Sequence, residues 1–226
     1  MKRFWLCLVA LGVCACTPPL APAAKADPNL PQWKTSNSMG CMMVRKCKDE
    51  TQPIRSWKDL GKEYSKYEYE LNTIFAATNK IGIEVYLAGD KYFTPKTRGL
   101  YDVKRNNLFI NQKYLSNADM IMGLIRHEGW HAVQDCMAGS IKNGMTAIVW
   151  PKGKVPNSVI EGAKSDYAHA PISIPYEAEA RWASYSNWET ADALNVCADP
   201  NVKMWEIYSP IPSTRKWLVE NGFLTK

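Results

Sequence analysis

Histidine is nearly missing from this chain, with three residues in 226. Other scarcities bound it further. No two cysteines stand in a C-x-x-C spacing, which argues against a cysteine-rich structural zinc site. Beyond the first residues, no apolar run approaches the roughly 20 residues needed to span a bilayer. There is no internal repeat, and no low-complexity segment past residue 31. The basic excess is mild and unclustered. Formal charge is +6, but residues 1–26 hold Lys2, Arg3 and Lys25 and no acid. A chain starting at Asp27 therefore carries +3, from 25 basic and 22 acidic residues. So small and diffuse an excess does not suggest nucleic acid as a partner.

What is present at the N-terminus reads as an export signal. Met1-Lys2-Arg3 precedes the short apolar run from Phe4 to Ala15. Ala24-Lys25-Ala26 is an A-x-A cleavage site that makes residues 1–26 the signal. Val13-Cys14-Ala15-Cys16 instead resembles a bacterial lipobox, with signal 1–15 and a lipid anchor on Cys16. The A-x-A site is preferred. The Pro/Ala-rich stretch from Thr17 to Pro31 suits an extended tether, so residues 27–35 are assigned to a flexible segment and 36–226 to one domain. About 200 residues suffice for one substantial core. Past the signal, Cys41, Cys47, Cys136 and Cys197 remain, an even number as an oxidising compartment allows. Of their three possible pairings, Cys41–Cys47 as a local loop and Cys136–Cys197 as a long-range staple are expected.

The periodicity predicts a helix over 58–79, with Leu60, Tyr64, Tyr67, Leu71, Ile74 and Phe75 near one face. Residues 81–88 read as a strand. Leu100–Val103 and Leu108–Ile110 flank Lys104-Arg105-Asn106-Asn107 as a hairpin. A second helix is expected from Met120 to Met137, with Ile121, Leu124, Ile125, Val133 and Met137 at helical spacing. Ser116 to Asp119 is its expected capping box and Gly139 its stop. Residues 141–158, rich in Gly, Pro and Lys around Trp150, read as a loop near a cleft.

Two of the three histidines fall inside that second helix, as His127-Glu128-Gly129-Trp130-His131. Residues four apart share a helix face, so both imidazoles can reach one metal ion. Glu128 sits about 100° round the axis, beside the metal, where it can take a proton from a zinc-activated water and pass it on. With histidine so scarce, chance placement gives this pattern in roughly 0.002 of chains of this composition. The plainer alternative is two histidines packed on a helix by accident, with Glu128 solvated. An apolar helix interior makes two unliganded imidazoles and a carboxylate costly.

The pattern resembles that of the zinc peptidases bearing His-Glu-x-x-His. A metzincin-type site is excluded, because Gln134 and Met137 stand where that family needs Gly and His. Pro175-Tyr176-Glu177-Ala178-Glu179-Ala180-Arg181 is similar to the gluzincin element in which a later helix supplies a glutamate; Arg181 replaces the acid usual at its end. Glu177 and Glu179 lie about 200° apart round a helix, so only one can face the metal. The resemblance selects Glu177, and two solvated surface acids are the plainer reading. Asp166 and His169, in a stretch faintly similar to an aspzincin element, are rival third ligands. His169, Tyr176 or Tyr167 is a candidate donor to the oxyanion of a tetrahedral intermediate, and Asp135 a candidate to orient His131. The helix, strands, metal helix and ligand helix occur in the order of an α+β, minimal zincin-like fold with a small antiparallel or mixed sheet. By that likeness Leu108–Asn111 would be an exposed edge strand against which a peptide is laid. Trp130, at a position usually smaller in the family, is expected to fill core.

The resemblance implies an exported, periplasmic or secreted Zn2+ metallopeptidase acting on a peptide or protein, with His127, His131 and Glu177 on the metal and Glu128 as general base. It would touch a membrane only through a lipid on Cys16. Two alternatives stay open: a zincin-like adhesion or scaffold module that holds zinc without turnover, and a metal-free cell-wall or lipoprotein assembly factor.

Overall fold

The computed structural model describes residues 51–225. The export signal, the Cys16 anchor, the tether and the Cys41–Cys47 pairing lie outside the described residues. The described part is α+β. A four-stranded mixed sheet comprises β1 (Thr51–Ile54), β2 (Glu84–Ala88), β3 (Gly99–Asp102) and β4 (Asn107–Asn111). The helices are α1 (Glu68–Ile81), α2 (Ala118–Met137), α3 (Asn157–Asp166), α4 (Ile174–Ser184), α5 (Glu189–Ala198), α6 (Met204–Ile207) and α7 (Pro212–Glu220). None of the described helices is long and apolar enough to cross a membrane.

The strand order is β1-β2-β4-β3, with β2 and β4 parallel and the outer pairs antiparallel. The hairpin over Lys104–Asn107 forms as read, with Asn106 at φ 56 supplying the left-handed turn residue. Alternate residues divide the sheet between two apolar layers. Val85, Leu87, Tyr101, Leu108 and Ile110 join the main core beneath the helices, whereas Tyr86, Leu100 and Phe109 pack with Tyr92 and Phe93 on the other side.

Four local expectations change. The helix read over 58–79 begins as 3-10 turns at Trp57–Asp59 and Lys62–Tyr67 and becomes α-helical only at Glu68. It then runs on to Ile81, which shortens β2. The N-cap of α2 is Asn117, whose side chain accepts from the Met120 N–H at 3.0 Å, while Asp119 turns outward to Lys66 and Tyr67. Residues 108–111 are not an edge. β4 is hydrogen-bonded on both sides and wholly buried, and the edge beside α2 is β3. Local sequence reports alternation and turns; which strand becomes outermost follows from the parallel β2–β4 pairing, a long-range choice.

Helix α2 is the axis of the molecule, packed against α4, α5 and β3. Gly129, inside the histidine motif, permits the close approach of α5: a Cβ there would sit 2.8 Å from the Thr190 methyl. Thr190 also donates its hydroxyl to the Arg126 carbonyl at 3.0 Å. Arg126 forms a buried two-pronged ion pair with Glu70 of α1, at 2.8 and 2.7 Å. Trp130 fills core as expected, fully buried with its ring centroid 4.2 Å from that of Trp150. The helix stops at Gly139, whose φ of 105 suits the residue after a C-cap. Just before it, Cys136 is bonded to Cys197 of α5, with Cα atoms 5.9 Å apart.

Candidate metal centre

Near the middle of α2, His127 and His131 point to the same side, their rings edge to face with centroids 4.8 Å apart. The first turn of α4 lies opposite. Pro175 sits in that turn without loss, because an N–H there has no helical partner. Ala180 and Ala183, both fully buried, let α4 settle against the core, and this brings Glu177 onto the histidines. Glu177 Oε2 lies 3.3 Å from His127 Nε2 and 3.7 Å from His131 Nε2. One donor atom from each of the three residues falls within 4.8 Å of the others. Among the described residues these are the metal-ligating side chains that come together in this way.

The three fit a metal ion. Two ligand atoms held tetrahedrally at 2.0–2.1 Å from zinc lie roughly 3.3–3.4 Å apart, close to the two carboxylate–imidazole separations. Two imidazoles and one carboxylate form a donor set suited to zinc. Glu177 is 2% exposed, and its Oε2 is buried without a hydrogen bond of ordinary geometry. A carboxylate oxygen so withdrawn from water is costly unless a cation meets it.

The electrostatics follow from that crowding. Burial opposes a charge on His131, but the Glu177 carboxylate outweighs it and carries the imidazole up to about 9. Burial likewise pushes Glu177 up, and the two imidazoles reverse the effect, holding it well below the usual carboxylate range. Glu128, the residue after His127, is buried. Desolvation raises its carboxyl above the ordinary value, against the pull of His127 and His131 and of a hydrogen bond from the β3 backbone at Tyr101. A carboxyl raised in this way holds a proton more readily than an ordinary one, as a group that takes and returns protons must.

The other candidates fall in distinct places. Asp166 is exposed and paired with Arg181 at 2.6 Å, a bridge from α3 to α4. Arg181 thus engages Asp166, the rival ligand, which does not join the histidines. His169 is exposed and stacks against Tyr167 with centroids 6.2 Å apart. The Tyr167 phenol is pushed up by burial, then by the Glu177 carboxylate that it meets and by Glu128. Tyr176 is raised by burial and then by Glu179, on the other side of α4. Of the two tyrosines, Tyr167 therefore lies with the metal-ligating group.

Asp135 does not orient His131. Its Oδ2 accepts from the Tyr101 hydroxyl at 2.9 Å, and burial carries its carboxyl up to about 8. The partner of His131 Nδ1 is Gln134 Oε1, at 2.8 Å. Gln134 Nε2 donates to the Tyr176 carbonyl at 3.0 Å and to Glu179 Oε2 at 2.9 Å. Glu179 is not a surface acid. It is 2% exposed and accepts from the backbone N–H groups of Val149 and Trp150, at 3.1 and 2.6 Å to Oε1. The usable signal for Gln134 was its place three residues past His131, on the same helix face.

The chain matches no protein-family model, no curated protein and no solved structure.

Proposed function

We propose that this protein is an exported zinc metallopeptidase of the gluzincin type. The observation that carries the reading is the convergence of His127, His131 and the unpartnered oxygen of Glu177, with the buried Glu128 at its side. Export is supported by the basic and apolar start of the chain and by the Cys136–Cys197 bond, which suits an oxidising compartment.

When bound, zinc supplies Lewis acidity that acidifies water and polarises a carbonyl. The protein's own groups do the rest. Glu128 takes the proton from the attacking water and delivers it to the leaving amine, a task suited to a carboxylate whose affinity for protons is already raised. Tyr167, beside Glu177 and Glu128, donates its hydroxyl to the oxygen on which negative charge gathers. His127 and His131, held on one rigid helix, keep the donor set in place, and Gly129 allows α5 to back that helix closely.

The test is zinc content together with hydrolysis of a broad peptide library. Wild-type protein is expected to hold one zinc and to cleave. Glu128→Gln should keep the zinc and lose at least roughly a hundredfold in rate. Undiminished cleavage by Glu128→Gln refutes the proposed mechanism. Zinc retained by wild type with no cleavage of any peptide selects the adhesion or scaffold reading instead.

A further inference from the structure

Resting on the reading of this site as a metal centre, we propose that Gln134 and Glu179 are positioning residues. Through them, the backbone of Val149 and Trp150 dictates which nitrogen of His131 faces the metal. The chain of hydrogen bonds has a direction, and it is fixed by backbone groups with only one possible role: the Val149 and Trp150 N–H groups and the Tyr176 carbonyl. A backbone N–H can only donate, so Val149 and Trp150 require an acceptor at Glu179, which its carboxylate provides. Glu179 Oε2 and the Tyr176 carbonyl are acceptors in turn, and both meet the same end of the Gln134 amide. That end must be the NH2 group. The carbonyl end of the amide is therefore the one that faces His131 Nδ1 at 2.8 Å. A carbonyl oxygen accepts only, so Nδ1 carries the proton. In the neutral ring Nε2 then bears the lone pair, and Nε2 is the nitrogen turned toward Glu177.

The three side chains that carry the relay are buried. His131, Gln134 and Glu179 are each no more than 2% exposed, so water does not readily substitute for a missing link. The link is also anchored at its far end. The Ala147 N–H donates to the Gln134 carbonyl at 2.9 Å, Trp150 packs on Trp130, and Thr214 of α7 holds the Ile148 carbonyl at 3.2 Å. The 147–150 segment thus serves as a fixed array of donors whose polarity is passed to a metal ligand through two side chains, neither of which belongs to the donor cluster itself. A neutral amide takes the place that a carboxylate commonly fills behind a metal-bound histidine. Glu179 serves to orient that amide.

The test reads the tautomer and the metal separately. Ring 15N NMR of the metal-free full chain, at a pH alkaline enough to leave the imidazoles neutral, is expected to show His131 as the Nδ1–H form. Zinc affinity is measured on the same protein by competition with a chelator, and circular dichroism confirms the fold of each variant. Gln134→Met keeps the shape but removes both roles of the amide. It should mix the two tautomers and weaken zinc binding by roughly 10- to 100-fold. Gln134→Glu sets two buried carboxylates against each other and should lose zinc binding. An Nε2–H form in wild type overturns the proposal, as does unchanged tautomer and affinity in Gln134→Met, or zinc affinity retained in Gln134→Glu, where a carboxylate would face both Glu179 and the Tyr176 carbonyl. An Nδ1–H wild type that binds no zinc would instead overturn the metallopeptidase reading and leave the positioning chain standing.

Discussion

Glu177 and Glu179 stand two residues apart on α4 and are equally buried, yet the two sides of the helix treat them in opposite ways. On one side, Glu179 is saturated by the Gln134 amide and the Val149 and Trp150 N–H groups. On the other, Glu177 Oε2 has no hydrogen bond and faces two imidazole nitrogens. Burial by itself therefore says little about role. A buried acid whose lone pairs are all taken is part of the structure, and one with an oxygen left over, aimed at other metal-ligating groups, marks a place where something else binds.

Substitution separates the two sides. The largest effect is expected from Glu177→Ala, which should abolish stoichiometric zinc binding, read by plasma mass spectrometry on tag-free protein, while the far-ultraviolet dichroism stays that of wild type. Zinc retained in Glu177→Ala would dissolve the contrast, because the third ligand would then lie elsewhere. Next comes the staple. Cys197→Ser opens a link between residues 61 apart, worth about 4 kcal/mol by the loop-closure relation. It should lower the denaturation midpoint strongly but leave zinc affinity within a few-fold, since the two histidines sit on earlier turns of α2 and Glu177 on α4. Glu179→Ala strands two backbone N–H groups and the Gln134 amide, a cost of roughly 3 kcal/mol in urea unfolding. A Glu179→Ala protein as stable as wild type would mean that this side is no more structural than the other.

The last effect, absent in acid and present only as pH rises, concerns Asp135, one turn beyond His131. Its carboxyl is raised to about 8 in the folded protein, chiefly by burial, from an ordinary value of 3.8. Between those values the folded state holds a proton that the unfolded state has released. Folding stability therefore falls as pH rises from about 4 to about 8. Asp135→Asn keeps an acceptor for the Tyr101 hydroxyl and removes the titration. It should be more stable than wild type at pH 8, with the difference shrinking as pH falls and vanishing near pH 4. A pH-independent difference would show that Asp135 is already ionised in the fold.

Much of this was legible in the sequence because it rests on short spacings. A spacing of four from His127 to His131 suffices to put them on one face of α2, and the apolar pattern around them suffices to make the helix. Pro175 and the alanines after it announced α4, and the hairpin between β3 and β4 followed from its turn residues. The Cys136–Cys197 bond was an even-count inference that the packing of α5 on α2 bears out. Other features were not legible. Ser116 and Asn117 are both good caps, and which of them is used depends on where Asp119 finds Lys66 and Tyr67. Asp135 and Gln134 are neighbours able to serve a histidine, and only the position of Tyr101 on β3 and of α4 assigned the task to Gln134. Glu179 has no role legible in the sequence because nothing nearby in sequence needs it; its backbone donors come from some thirty residues upstream.

The sequence by itself determined α2, α4 and most of α1, the paired histidines with their glutamate, and the choice of Glu177 over its neighbour once likeness to a known element was admitted. These are consequences of helical period and of chain-local chemistry. Only the tertiary structure decided that β3 rather than β4 is the edge, that Arg181 engages Asp166, that Tyr167 rather than Tyr176 lies beside Glu177, and that a loop backbone stands behind His131. Each of those depends on which surfaces meet when the helices close over the sheet, and the free energy of such meetings belongs to pairs of residues far apart in the chain.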